Sequence, residues 1–187
     1  HLRFAQTPNN IPTTLPLPTD FCLATIGNYF TNNFMPGRKV VPGFEIQTSL
    51  FDNGEGYIDQ KIASTNPVHY TIQAPNAVAS NYSAQLNLSI LRYSYDPMPL
   101  SFKISMNGNQ LADSNIAADA TKNLLLNFSS SLVGNSNDIG INPNGTSSSD
   151  VYGISFLELV YPRSFDVTGL NYFSFKLPIN NSQQYLE

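Results

Sequence analysis

The residue types with the clearest catalytic potential are the single cysteine, Cys22, and the internal histidine, His69. A thiol becomes a strong nucleophile when an imidazole lies within hydrogen-bond reach and a third group orients that ring. Cys22 has no glycine-rich turn near it, and His69 falls within a stretch with the pattern of a strand, PVHYTI. The sequence therefore favours a structural thiol and a sheet histidine, and one histidine without thiolate neighbours does not make a zinc site.

Three carboxylates lie close together in the segment FDNGEGYIDQ, at Asp52, Glu55 and Asp59. Hard oxygen ligands grouped on one loop suit calcium, which takes six to eight of them. The same Asp-Asn-Gly letters also build an ordinary tight turn. We predict no cofactor, with calcium at these three residues as the alternative.

Aromatic and acidic side chains suggest a sugar-binding surface as a further candidate. Exposed tyrosine rings can stack on sugar rings, although tyrosines in strands also serve as ordinary sheet residues. The tyrosines expected to be exposed in this way are Tyr82, Tyr93, Tyr95 and Tyr152. Glu158 alternates with Phe156 and Val160, so the face on which it lies depends on which side of its strand is buried. A glycosidase would need a second acid near Glu158, and the sequence identifies none.

Composition excludes some partners and suits an extracellular β-protein. Charged residues make up 12% of the 187 residues, about half the usual share. The net charge is −4 with nine lysines and arginines, and no basic cluster is present that would bind a nucleic-acid backbone. No apolar run approaches the roughly 20 residues that span a bilayer.

The elements that would position these residues are short strands. In Ala84–Arg92 apolar and polar residues alternate, as in a strand with one buried face, and the Asn107-Gly108 pair after Leu100–Met106 is typical of a hairpin turn. We expect further strands at residues 44–51, 57–62, 68–74, 123–128, 138–142, 151–161 and 172–177. The one helical turn is expected at Ser114–Thr121, and an Asn/Gly/Ser-rich surface loop at Gly134–Ser149.

This pattern predicts an all-β fold, a two-sheet antiparallel β-sandwich of the jelly-roll or galactose-binding-like kind. The first part of the chain differs because its prolines remove ladder donors; they are Pro8, Pro12, Pro16, Pro18 and Pro36. We therefore predict an irregular Pro-rich lead-in or linker at residues 1–39 and the sandwich domain at residues 40–187.

A family resemblance follows from the order of several segments between Asp52 and Leu177. They are FDNGEGYID, VHYTIQAPN, SFKISMNGNQL, DVYGISFLELVYPR and LNYFSFKL. This order resembles the β-sandwich domain that precedes the peptidase domain in the sortase of the Bacteroidetes type IX secretion system, a gingipain-like cysteine peptidase. The peptidase's histidine and cysteine lie in a separate domain of that family, and no residue here matches its catalytic motif.

The resemblance implies a non-catalytic accessory domain that packs on other domains of its parent chain or on secretion-system proteins and contacts exported substrates. It also implies an extracytoplasmic location, in the bacterial periplasm, at the outer-membrane surface or secreted. An edge strand that accepts another strand would supply the contact. The alternative is a carbohydrate-binding or adhesive cell-surface module with glycans as partners. A free-standing enzyme is the remaining alternative, and it would need clustered carboxylates or contact between Cys22 and His69.

Overall fold

The computed structural model describes residues 21–35, 37–41, 44–48, 56–168 and 174–177, with 37–41 and 44–48 described by their backbone. The strands in these residues are β1 (Cys22–Tyr29), β2 (Asn33–Phe34), β3 (Gly37–Val41), β4 (Phe44–Thr48), β5 (Tyr57–Ile58), β6 (Ile62–Ala63), β7 (Val68–Gln73), β8 (Ser83–Tyr93), β9 (Leu100–Met106), β10 (Asn109–Ile116), β11 (Ala120–Ser129), β12 (Ser136–Pro143) and β13 (Val151–Arg163). One 3₁₀ turn, Ser130–Leu132, follows β11. No helix in the described residues is long and apolar enough to cross a membrane.

Two antiparallel sheets form the predicted sandwich. Sheet I has the strand order β1–β13–β8–β11, with β6 added beside β13, and sheet II has the order β10–β9–β12–β7. Two small ribbons pair β2 with β5 and β3 with β4. Neighbours such as β8 and β13 are far apart in the chain, so most pairings that hold sheet I are long-range.

One core lies between the two sheets, because the strands that face it alternate between apolar and polar residues. Along β8 the buried residues that face this core include Leu86, Leu88 and Ile90, and the residues between them are directed to the outer face, where Ser89 is also buried. Sheet II contributes buried residues from all four of its strands to the same cluster; they include Ile72, Phe102, Ile104, Ile116, Ile139 and Ile141. The predicted all-β sandwich is therefore confirmed.

The hairpin turn predicted at Asn107-Gly108 is present between β9 and β10. Asn107 and Gly108 both adopt positive φ, at 50° and 79°, as a two-residue hairpin turn requires. The helical turn predicted at Ser114–Thr121 is wrong, because residues up to Ile116 belong to β10 and β11 starts at Ala120. The strand predicted at residues 138–142 is confirmed within β12, which pairs with both β9 and β7, so the segment Gly134–Ser149 is not a surface loop throughout.

The predicted lead-in contains a strand of the sandwich. Residues Cys22–Tyr29 form β1, which pairs with β13 over eight positions from Cys22–Arg163 to Tyr29–Phe156. The first twenty residues lie outside the described residues, and the rest of the domain division remains a prediction. The strand expected at residues 172–177 is described only over residues 174–177, where Lys176 forms an isolated bridge with Leu23.

A buried ion pair closes one end of the sandwich. Arg92 is 1% exposed and donates two hydrogen bonds to the Asp150 carboxylate, at 2.9 and 2.8 Å. The same guanidinium donates to the backbone oxygens of Met98 and Ile116 and to the Ser94 hydroxyl. Because its donors are used in this way, the charge is compensated inside the protein, and Arg92 joins three loops at this end.

Buried phenols give the fold a predicted sensitivity to alkali. Burial raises the pKa of Tyr70, Tyr152 and Tyr161, since a phenolate is penalised in the core. Above about pH 10 the unfolded chain releases phenolic protons that the folded chain retains, so the free energy of unfolding falls as pH rises. We expect the Tm to fall steadily between about pH 9.5 and 11, with a shallower fall in Tyr152→Phe. A flat Tm across this range would contradict the burial of these phenols.

Candidate functional site

The edge of sheet I at β11 is the strongest candidate site in the described residues. β11 is ten residues long, Ala120–Ser129, and within those residues it pairs only with β8. Its register with β8 is continuous over all ten positions, without a bulge. The backbone groups on its other side are therefore directed away from the sheet, where another extended chain can bind them.

The side chains along β11 also favour pairing with another strand. Leu124, Leu126 and Phe128 pack against the core from the rim but stay partly exposed, and Leu125 on the opposite face is 60% exposed. Lys122, which lies opposite the core residue Ile90, is the one charged residue in the strand. Natural edge strands usually avoid pairing through lysines, inward-pointing charges, prolines, bulges or short length. Of these devices β11 has Lys122 alone.

The other three edges carry such protection. β1 is bridged at Leu23 by Lys176, through N–H to oxygen bonds of 2.7 and 2.9 Å. β10 has a register shift between Gln110 and Ala112 and carries Asp113. β7 is only six residues long and presents the His69 ring, whose partner is a carboxylate. The contrast singles out β11 among the sandwich edges.

Cys22 and His69 lie on different sheets and have different partners. Cys22 is fully buried in β1, where its Sγ donates to the Arg163 oxygen at 3.5 Å, and burial raises the pKa of the thiol. The His69 ring is more than half exposed on β7 and its Nδ1 lies 2.9 Å from the Asp138 carboxylate. A thiol that is buried and protonated cannot attack a substrate from solvent. The structure therefore does not bring this pair together.

The predicted calcium ligands are only partly described. Asp52 and Glu55 lie outside the described residues. Asp59 follows β5; its backbone N–H donates to the Ile154 oxygen, and its carboxylate accepts from the Asn32 amide at 3.4 Å. No cluster of three or more His, Cys, Asp or Glu suited to a metal occurs among the residues that the structure describes. Calcium at these three residues stays a prediction.

The four predicted sugar-binding tyrosines do not share an environment. Tyr152 is fully buried, stacks edge-on against Phe102 and donates to the Asn66 oxygen at 2.8 Å. The expectation that Tyr152 is exposed is therefore wrong. Tyr93 and Tyr95 contact each other edge to face, and Tyr95 is 64% exposed. Tyr82 is half-buried beside Phe21.

Glu158 lies on the outer face of sheet I, away from the core. Its carboxylate accepts the Tyr29 hydroxyl at 2.6 Å, and this hydrogen bond raises the pKa of Tyr29. Tyr29 is 67% exposed and stacks on Phe156, with ring centroids 5.8 Å apart. The sequence prediction did not include Tyr29, because it lies in the segment predicted as lead-in.

A second polar feature lies on the outer face of sheet II. A depression of about 350 Å³ is lined there by Ser101, Lys103, Asp113, Asn142 and Asn144, among others. The His69–Asp138 pair lies on the same sheet, since Gly140 is opposite His69 on one side and Ser105 on the other. Charges of both signs border this depression, so it does not favour one class of charged ligand.

Comparison with known proteins places the fold among β-sandwiches. No family model matches the sequence, and no curated protein is similar enough to count as a match. Among solved structures, the chain is similar to dimeric latent PorU from Porphyromonas gingivalis, with a TM-score of 0.59 and 11% identity. That alignment covers 81% of this chain and 14% of the PorU chain.

Carbohydrate-binding modules are similar at lower scores. The CBM36-1 domain of a multidomain xylanase from the hindgut metagenome of Trinervitermes trinervoides has a TM-score of 0.39 and 8% identity, over 73% of this chain and 95% of that domain. CBM51 of a Clostridium perfringens protein, in complex with methyl-galactose, has a TM-score of 0.39 and 11% identity. That alignment covers 78% of this chain and 90% of the CBM51 chain.

Proposed function

We propose that this chain is a non-catalytic, extracytoplasmic accessory domain of a type IX secretion sortase-like protein. On this account it contacts exported substrates or packs against partner domains through the open β11 edge. The observation that carries the proposal is the ten-residue edge strand without a bulge or proline, whose one charged residue is Lys122 near its start. Its free backbone groups are complementary to an extended polypeptide, which would lengthen sheet I by one strand.

Two further observations support the assignment to a sortase-like parent. PorU, whose structure is similar over 81% of this chain, is a type IX secretion sortase. The order of segments between Asp52 and Leu177 resembles the accessory sandwich of that same class. Since this chain spans about one seventh of PorU, the peptidase activity of such a parent belongs to other parts of it, and the role of this domain is binding.

Leu125→Lys is expected to weaken partner binding at least tenfold without unfolding the domain. Leu125 is 60% exposed, so lysine at this position costs the fold little. In an added strand the directly opposite side chain would lie about 5 Å from it, and an apolar partner residue would then meet an ammonium group. Lysine in an edge strand is also how natural sheets prevent such pairing.

The measurement is isothermal titration of the chain with two purified probes. One is the C-terminal sorting domain of a type IX cargo protein, and the other is the peptidase domain of a type IX sortase. Val167→Lys is the matched control, because Val167 is 50% exposed and is not part of β11. Failure of both probes to bind, or equal affinity of Leu125→Lys and the wild type, would remove the proposal.

A further inference from the structure

The outer face of sheet I carries an ordered array of polar side chains beside one stacked aromatic pair. Four strands contribute to it, and the cross-strand register defines three rows. The rows are Tyr29–Phe156–Ser89–Asn123, Gly27–Glu158–Asn87–Leu125 and Thr25–Val160–Gln85–Asn127. With strands about 4.8 Å apart and alternate residues about 7 Å apart, the array is large enough for more than one sugar ring.

The aromatic end of this array is fixed in position. Tyr29 stacks on Phe156 with an angle of 27° between the rings, and its hydroxyl donates to Glu158. The exposed ring leaves a broad apolar surface toward solvent, 67% accessible. Such a surface packs well against the C–H face of a pyranose ring.

A glycine lies beside this carboxylate on the neighbouring strand. Gly27 is directly opposite Glu158, and a Cβ at this position would lie 2.9 Å from the Leu157 oxygen and 3.3 Å from the Glu158 Cα. Any side chain here would clash with β13, so glycine lets β1 approach Glu158 closely. Glu158 uses one acceptor position for Tyr29 and retains others for hydroxyl donors.

Side-chain amides occupy the strands next to Glu158. Asn87 lies opposite Glu158 on β8, and the neighbouring Gln85 donates to the Asn127 amide oxygen at 2.9 Å. A planar amide offers donors and acceptors together, which matches the adjacent hydroxyls of a sugar. A protein interface would instead require a continuous apolar centre, and this array lacks one.

Charge decides the class of sugar. Among the twelve array positions Glu158 is the one ionisable acid and no lysine or arginine occurs, so a phosphate, sulfate or uronate would meet repulsion and no cation. We propose that the outer face of sheet I binds a neutral glycan, with Tyr29 stacking on a sugar ring and Asn87, Gln85 and Glu158 binding its hydroxyls. The residues proposed to bind sugar lie on β1, β8 and β13, so this proposal does not depend on the protein contact proposed for β11, although the array extends onto β11 at Asn123, Leu125 and Asn127.

Affinity electrophoresis of the full chain tests the proposal. The gels contain soluble neutral polysaccharides, namely xylan, mannan, β-glucan and galactan, with polygalacturonate as the anionic comparison. We expect at least one neutral polysaccharide to retard the chain, and polygalacturonate to leave its mobility unchanged. The proposal is overturned if no neutral polysaccharide retards it, or if the anionic one binds more tightly.

Variants locate the binding surface. Tyr29→Ala and Asn87→Ala are each expected to weaken retardation at least tenfold. Tyr95→Ala is the matched control, because Tyr95 is 64% exposed but is not part of the array, and it is expected to stay within twofold of the wild type. Wild-type retardation of both array variants would overturn the assignment.

A measurement on the unaltered chain covers the case in which a variant unfolds. An oligosaccharide of the retarding polysaccharide is titrated into the isotopically labelled chain, and amide chemical shifts are followed. Shifts centred on Gly27, Asn87 and Glu158 support the site. Shifts confined to sheet II or to the loop around Tyr95 overturn it.

Discussion

Arg92→Met is expected to destabilise the domain by about 3 to 5 kcal/mol, since breaking a buried pair leaves an uncompensated charge. The Asp150 carboxylate would lose two hydrogen bonds, and the carbonyls of Met98 and Ile116 would lose their side-chain donor. Urea unfolding followed by circular dichroism measures the change in free energy.

A double variant separates the ion pair from simple packing. Arg92→Met with Asp150→Leu removes both charges, so it should recover part of the loss that Arg92→Met alone causes. Asp150→Asn, which leaves the guanidinium without its counter-charge, should also destabilise strongly. A loss below about 1 kcal/mol for Arg92→Met would show that water reaches this pair, contrary to its burial.

Tyr152→Ala is expected to cost about 3 to 5 kcal/mol, as large-to-small changes in a packed aromatic core usually do. The ring contacts Phe102 at a centroid distance of 5.3 Å and is completely buried. Tyr152→Phe keeps the ring and loses only the hydrogen bond to Asn66, so its expected cost is about 0.5 to 1.5 kcal/mol. Urea unfolding measures the change in the free energy of unfolding for both variants.

Tyr95→Ala is the comparison for this series, because its ring is mostly exposed. We expect Tyr95→Ala to change the free energy of unfolding by less than about 0.5 kcal/mol. If Tyr152→Ala were equally mild, Tyr152 would belong to the surface, as the sequence alone had suggested.

The sequence predicted the fold class well because alternation in β8 and the Asn-Gly turn are local signals. It could not predict the face of Tyr152. The register of β13 with β8 shifts between Ile154 and Phe156, so buried residues fall at even numbers before the shift, as at Tyr152, and at odd numbers after it, as at Leu157 and Leu159. A single irregularity of this kind reverses a period-two prediction.

Other differences arise from partners that are distant in sequence. β1 lacks a strong strand pattern and follows several prolines, yet it pairs with β13 more than 125 residues later. Arg92 continues the inward alternation of Leu88 and Ile90, which was a visible signal, but Asp150 lies 58 residues away. The polar residues of β10 hide that strand, because it is a sheet edge, whereas part of β12 was predicted at residues 138–142.

The β11 edge could be anticipated only in general terms. A sandwich was expected to have edge strands, but which strand lies at an edge depends on sheet order, and sheet order depends on long-range pairing. Once β11 is seen to pair only with β8 within the described residues, its length, its regular register and its single charge identify it as the least protected edge.

Hydrogen–deuterium exchange is the most direct test of the strand-addition account. Backbone amides of residues 120–129 are compared with and without the cargo sorting domain and the sortase peptidase domain. The account predicts that one of these partners slows exchange at alternate amides of β11, where the outward N–H groups gain acceptors, while exchange in β7 and β10 is unchanged. Unchanged exchange in β11 with a bound partner, or protection confined to another edge, would contradict it.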